Sequence, residues 1–230
     1  KGAKEVLSNQ YMGWNDPRLW SLQSLRDRGI LPEAIREFIT SMGITKSSST
    51  IAIDVLYALN RKHLANAQKY FFVPDPIKIH ISGTPKIKSE IQLHTNRQLG
   101  SRKHETLQDF YIPGQDFELM ETNNYRLIHL LNFRSKRISN TTPRSFSFIS
   151  QGTDKNLDVK MLQWLPADSA SEKNNIKVSV RMPNSEIVEG LGESDLKNLK
   201  VGDIVQFERF GFCRLYKKSK TLLEFWFAHR

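Results

Sequence analysis

Two hydrophobic periods divide the chain. Through the first third, apolar residues recur at helical spacing: Leu19, Trp20, Leu22 and Leu25 follow Asp16-Pro17 and stop at Gly29. Asp16-Pro17 reads as a helix start, an N-cap oxygen followed by the residue best tolerated at the first helical position. A second helix is predicted from Pro32, burying Ile35, Phe38, Ile39 and Met42 before Gly43. A third follows Ser48-Ser49-Thr50 and carries Val55, Leu56 and Leu59 to about Leu64. Short connections make these a small helical bundle. From Val73 the period becomes two, with Ile77, Ile79 and Ile81 alternating with Lys78, His80 and Ser82. The same alternation marks Ile91/Leu93, Phe146/Phe148, Val178/Val180/Met182, Val205/Phe207 and Leu223/Phe225/Phe227, separated by turn-rich stretches. Many short strands with polar turns argue for antiparallel barrels rather than a parallel sheet, with one short helix between Glu193 and Leu199. No repeat at a fixed period is visible.

Composition narrows the partner. Hydrophobic residues make up 39% of the 230, enough for packed cores and too many for a disordered chain, and the length suits two or three modules. With 34 Lys+Arg against 24 Asp+Glu, the formal net charge of +10 points to a polyanion, and nucleic acid and an anionic membrane surface both fit. No apolar run approaches a membrane span and no basic-then-apolar leader opens the chain, so a soluble, intracellular protein is expected. The single cysteine, Cys213, has no internal disulfide partner and reads as a buried strand thiol. Arg126, Arg134, Lys136, Arg137 and Arg144 fall in a stretch without acids, interleaved with Tyr125, Phe133 and Phe146, as a single-strand RNA site requires. A solvated hairpin is the plainer reading of the same residues. Glu186 to Asp203 is acidic and is expected to face away from phosphates.

Val205-Gln206-Phe207-Glu208-Arg209-Phe210-Gly211-Phe212 concentrates aromatics, a planar amide and a guanidinium. Such groups hydrogen-bond base edges and stack on unpaired bases, although a half-buried strand with one charged face has the same pattern. Alternation sets Gln206 and Arg209 on opposite faces, so both reach one ligand only if the strand ends or bulges between them. Catalytic signatures are missing: there is no zinc spacing, P-loop or serine nucleophile elbow, and nothing pairs Asp75 with Asp109 or Glu90 with Glu105 as acid and base. Thr45-Lys46-Ser47-Ser48-Ser49 looks superficially like a phosphate-binding loop; a helix cap is the plainer role, with Lys46 still able to touch a phosphate. The chain as given is not expected to catalyse a reaction by itself.

Trp14-Asn15-Asp16-Pro17-Arg18-Leu19, Leu25-Arg26-Asp27-Arg28-Gly29-Ile30 and Pro32-Glu33-Ala34-Ile35 resemble the segment just after the KMSKS-type loop of glutamyl- and glutaminyl-tRNA synthetases. The likeness continues in order through Tyr70-Phe71-Phe72-Val73-Pro74-Asp75-Pro76, His94-Thr95-Asn96 with Gly100, Gln163-Trp164, and Val201 to Arg209. It implies an α+β chain: a helical stem-contact subdomain over 1–73, then two interleaved antiparallel β-barrels of a kind also seen in a ribosomal protein. The proximal barrel would span 74–110 and the C-terminal strands to 230, and the distal one 111–200. Neither the HIGH-type nor the KMSKS-type motif occurs, so the resemblance implies a region downstream of a class I catalytic domain. That domain would join glutamate to tRNA in the cytoplasm using ATP and magnesium.

By the same resemblance, Gln206, Arg209, Asn96 and Arg126 fall on anticodon-contact positions. Lys69 is a further anticodon-contact candidate, standing where the family has an arginine and so keeping charge while losing the planar fork. Lys46 and Ser47 match a stem-contacting loop, and Arg61, Arg134 and Arg137 are candidate phosphate contacts. The Gln163-Trp164-Leu165-Pro166-Ala167-Asp168 stretch and Ile128, where the glutaminyl enzyme has an arginine, resemble the archaeal-type glutamyl branch more than the glutaminyl one. The partner implied is tRNA for glutamate, with tRNA for glutamine open. Two other readings stand beside it: a free-standing ribosomal-type RNA-binding protein, and a protein-interaction module using the acidic stretch.

Overall fold

A computed structural model describes Val6 and residues 10–43, 52–137, 144–168 and 175–230; for Arg97 and Arg137 it describes the backbone alone. Among the described residues the helices are α1 (Leu22–Arg28), α2 (Pro32–Met42), α3 (Ile53–His63) and α4 (Gly114–Glu118). The strands up to the middle of the chain are β1 (Lys69–Tyr70), β2 (Phe72–Pro74), β3 (Pro76–Ser82), β4 (Ile87–Gln92), β5 (Ser101–Thr106), β6 (Asp109–Pro113), β7 (Asn123–Leu127) and β8 (Leu131–Arg137). There follow β9 (Arg144–Gln151), β10 (Lys160–Leu162), β11 (Leu165–Pro166), β12 (Ile176–Arg181), β13 (Ile187–Gly192), β14 (Ile204–Phe207), β15 (Gly211–Lys218) and β16 (Leu222–His229). The architecture is α+β, and the short helix expected after Glu193 is a 3-10 turn, Ser194–Asn198. The chain folds as two compact units, one of residues 1–68, 179–188 and 199–230, the other of 69–178 and 189–198. No helix among the described residues is long and apolar enough to cross a membrane.

In the first unit, helices and late strands share one core. Leu25, Ile30, Ala34, Leu56 and Leu64 pack with Phe212 and Ala228 of β15 and β16. Gly29 ends α1 with φ of 98°, its N–H bonding to the carbonyls of Leu25 and Arg26, a left-handed cap glycine adopts without penalty. Buried polar groups fasten the rest. Arg28 donates to the carbonyls of Phe227 and Ala228 and to the Tyr57 hydroxyl. Asn60 accepts from the Leu31 N–H and donates to the Gly29 carbonyl and to His229 Nε2. Two expectations are corrected here. Asp16 does not cap a helix: its buried carboxylate accepts from Met12 N–H, Arg18 N–H and the Arg18 guanidinium, which folds the chain into turns, and Ser21 Oγ caps α1 instead. The helices also bury narrower stripes than their apolar patterns predict. Trp20, Leu22, Ile39, Met42 and Val55 are exposed, lying off the faces defined by Leu25, by Ala34 and by Leu56 with Asn60.

His229 is stacked on Tyr57 at 5.1 Å, with Nε2 accepting from Asn60 and Nδ1 on the Arg230 carbonyl. Burial, helped by the nearby charges of Arg61 and Arg28, pushes its imidazole below the ordinary 6.5. The unfolded chain therefore takes up a proton that the folded one resists. This contribution to stability is complete above pH 6.5 and is lost as pH falls through the lower folded value. Thermal melts at pH 7.5 and 5.5 are expected to show a drop in melting temperature that is smaller in His229→Gln.

In the second unit the sheet curls round on itself. Its strand order is β10-β7-β8-β9-β3-β6-β11, and the two edge strands, β10 and β11, are joined by Gln163-Trp164 alone. So short a connection between opposite edges requires the sheet to curl into a barrel-like form. Two pairs in it are parallel, β3 with β9 and β7 with β10. Trp164 sits at the centre, its ring against Phe71, Phe110 and His104 and its Nε1 donating to the Ile128 carbonyl at 2.9 Å.

A duplication invisible as a sequence repeat links β7-β8-β9 with β14-β15-β16. In the first hairpin Arg126 pairs with Asn132 and Leu127 with Leu131; in the second, Gln206 pairs with Phe212 and Phe207 with Gly211. Each hairpin is closed by a three-residue turn, with Leu130 N–H bonded to Leu127 O and Phe210 N–H to Phe207 O, both at 3.0 Å. Each then bulges against its third strand at the same place, between Asn132 and Phe133 and between Phe212 and Cys213. Across residues 123–134 and 203–214, Arg134 and Arg214 are the shared identity.

Candidate nucleic-acid interface

The Gln206/Arg209 stretch resolves the alternation conflict. β14 ends at Phe207, and Glu208 to Phe210 form a turn with Arg209 at φ of 61°. Gln206 thus sits half-buried on the strand, its N–H on the Gln68 carbonyl at 2.9 Å, and Arg209 stands exposed at the tip. Positive φ at the third turn residue is normally met by glycine or asparagine, and a bulky side chain there costs roughly 1–2 kcal/mol. The aromatics around it hold the turn. Phe207 is buried against Phe225, and Phe210 packs edge-on against Phe207 and Phe227. Gly211 follows at φ of 145°, where a Cβ would meet the His229 carbonyl at 2.7 Å. Cys213 is buried and burial pushes its thiol up, which makes it inert packing. Arg61, at the end of α3, is exposed and donates to the Arg230 carbonyl.

In the second unit the expected residues have different fates. Arg126 is 8% exposed: its Nε donates to Asn132 Oδ1 at 2.6 Å and its Nη2 to the Asp154 carbonyl, while Asn132 donates on to Ser150 Oγ and the Gly152 carbonyl. Its guanidinium fastens the 152–154 loop to the hairpin. Asn96 is exposed, and its Oδ1 accepts from the Gln98 N–H, which closes the turn between β4 and β5. Lys69 is half-buried on β1, with its N–H on the Leu93 carbonyl at 2.7 Å. Arg134 is exposed on β8 opposite Asn124 and Ser147, and Arg137 lies on the same strand opposite Arg144. Arg144 is engaged internally, its guanidinium over the Phe117 ring and donating to the Phe117 and Glu118 carbonyls at the end of α4. Lys46 and Ser47 lie outside the described residues.

Sequence reasoning missed a buried charged cluster. Glu193, in the stretch expected to form an acidic surface, is 1% exposed. Its Oε2 lies 2.6 Å from Arg102 Nε and 3.5 Å from His104 Nε2, and its Oε1 accepts the Phe71 N–H. Arg102, equally buried, also donates to the Gln92 carbonyl at 3.1 Å. Only an alternation slip could have hinted at it: Ile87, Ser89 and Ile91 share a face of β4, and their partners on β5 are Thr106, His104 and Arg102.

The described groups present donors from turn tips and strand faces and contain no cluster of three or more His, Cys, Asp or Glu able to hold a metal. Two family models, each described as the anti-codon binding domain of tRNA synthetases class I (E and Q), match residues 67–148 and 161–216. A glutamate–tRNA ligase of Methanocaldococcus jannaschii is 35% identical, one of Methanothermobacter thermautotrophicus 35%, and one of Thermococcus kodakarensis 36%. Each alignment covers 100% of this chain and 40% of the relative.

Proposed function

Because the chain belongs to the class I (E and Q) tRNA synthetases through their anticodon-binding domains, we propose that it grips tRNA and reads anticodon nucleotides for a glutamate–tRNA ligase. The observation that carries this reading is Arg209, an exposed arginine kept at a left-handed tip position where glycine is the default. Strain of that kind persists where the side chain is needed. Gln206, on the adjoining strand end, and Asn96, exposed in its turn, supply further donors for base edges. Arg61, Arg134, Arg137, Lys46 and Ser47 are assigned to phosphates and the stem, and Lys69 to a non-specific charge contact. Arg126 acts through the loop it holds. In this reading the helices up to about residue 73 brace the stem and the barrels carry the anticodon.

The chain spans 40% of the length of the glutamate–tRNA ligases it matches, and the ATP- and magnesium-dependent joining of glutamate is assigned to the part of such ligases that it does not span. The same proposal places that reaction in the cytoplasm. Binding of tRNA for glutamate fits the relatives' names. Filter binding across a salt series tests the proposal. Affinity for a transcript of tRNA for glutamate is expected to fall steeply with salt, and an anticodon substitution to cost roughly 10- to 100-fold at fixed salt. Equal affinity for the altered transcript and for a ribosomal RNA fragment overturns it.

A further inference from the structure

The duplicated hairpin places one more residue where Arg209 stands. Counting from the matched pairs, Arg126 takes the position of Gln206, Leu127 that of Phe207, and His129 that of Arg209. His129 has φ of 63° against 61° for Arg209, each the third residue of a turn closed by the same bond. Both are exposed. We propose that His129 is a direct contact to a single-stranded RNA nucleotide, stacking on or hydrogen-bonding a base in the role assigned above to Arg209 on its own tip. This rests on the tRNA-binding reading above.

Three observations carry it. First, the tip is rigid. Ile128 and Leu130 are 7% and 1% exposed; the Ile128 carbonyl accepts Trp164 Nε1, its N–H bonds the Leu162 carbonyl at 3.0 Å, and the Leu130 carbonyl accepts the Gly152 N–H at 2.8 Å. His129 is therefore held out from a fixed backbone, and the ordering cost of binding has been met by the fold. Second, the arginine expected to read RNA from this hairpin is committed inward, since Arg126 holds Asn132 and the Asp154 carbonyl. Third, the hairpin lies in the acid-free run from Asn124 to Arg144, and Arg134 is exposed on its second strand. An imidazole offers a ring face and an N–H donor, the two features by which proteins hold splayed bases.

The test compares the full chain with His129→Gly and His129→Asn, using a transcript of tRNA for glutamate, filter binding and nucleotide-resolution footprinting. Glycine keeps the left-handed turn without strain, and asparagine tolerates it while keeping a donor. His129→Gly is expected to weaken binding about 5- to 100-fold with an unchanged or raised melting temperature, and to lose protection at one nucleotide while the others persist. His129→Asn is expected to bind between the two if hydrogen bonding contributes and with glycine if stacking does. Binding of both variants within twofold of wild type, while Arg209→Gly binds weakly, overturns the inference and leaves the tRNA-binding reading intact. Weakened binding with uniform loss of the footprint overturns it too, since that marks a structural effect. Failure of the wild type to bind the transcript overturns both.

Discussion

Glu193→Gln is expected to destabilise the second unit by about 3–5 kcal/mol, the effect of removing one charge from a buried pair. The substitution keeps side-chain size and leaves an oxygen for the Phe71 N–H, so the loss isolates the charge. Arg102 would then remain at 0% side-chain exposure with its guanidinium facing a neutral amide 2.6 Å away, and bulk water could not reach it. Replacing both residues with methionine is expected to recover most of the stability, because buried ion pairs are often no better than packed apolar groups of similar volume. Urea unfolding of the single and double variants checks this. A loss below about 1 kcal/mol in Glu193→Gln would mean that the pair is hydrated and contributes as a surface bridge does.

Arg209→Gly is expected to move binding and stability in opposite directions. Glycine relieves a left-handed position worth roughly 1–2 kcal/mol and gives back about 0.5–1 kcal/mol in backbone entropy, so the fold should be unchanged or gain up to about 1.5 kcal/mol. Affinity for tRNA should fall by about 1–3 kcal/mol, the worth of a specific base contact, and discrimination against an anticodon-altered transcript should shrink with it. Melting curves beside filter binding on both transcripts read the two effects separately. A parallel loss on both transcripts would assign Arg209 to phosphate, and a loss of stability would assign it to the turn's own packing.

The elements were legible where one rule governs a whole segment. Pro32 and Gly43 bracket α2, and period-two runs locate β3, β4, β12 and β16. Failures came where a polar side chain had a choice of partners. Asp16 has a cap residue's chemistry, but Arg18 two residues on captures its carboxylate. Arg126 and Arg144 sit in the most basic stretch of the chain and both turn inward to carbonyls, which charge counting cannot foresee. The candidate site was half legible: the Gln206 to Arg209 segment was recognisable, while the turn that reconciles its two ends depends on Arg209 accepting a positive φ and on Gly211 passing close to His229. The duplicated hairpin escaped because register, a turn and a bulge define it, and those survive almost complete change of residue.

The division of the chain between the units sets an order of events during synthesis. The second unit needs nothing beyond residue 198, whereas the first draws on residues 1–68 and also on 199–230. As the chain emerges N-terminus first, the barrel around Trp164 can close early. The helices, which emerge before it, must meanwhile wait with Leu25, Ala34 and Leu56 uncovered until Phe212 and Ala228 arrive. Nascent α1 to α3 thus give a ribosome-associated chaperone a longer window than the strands of the barrel do.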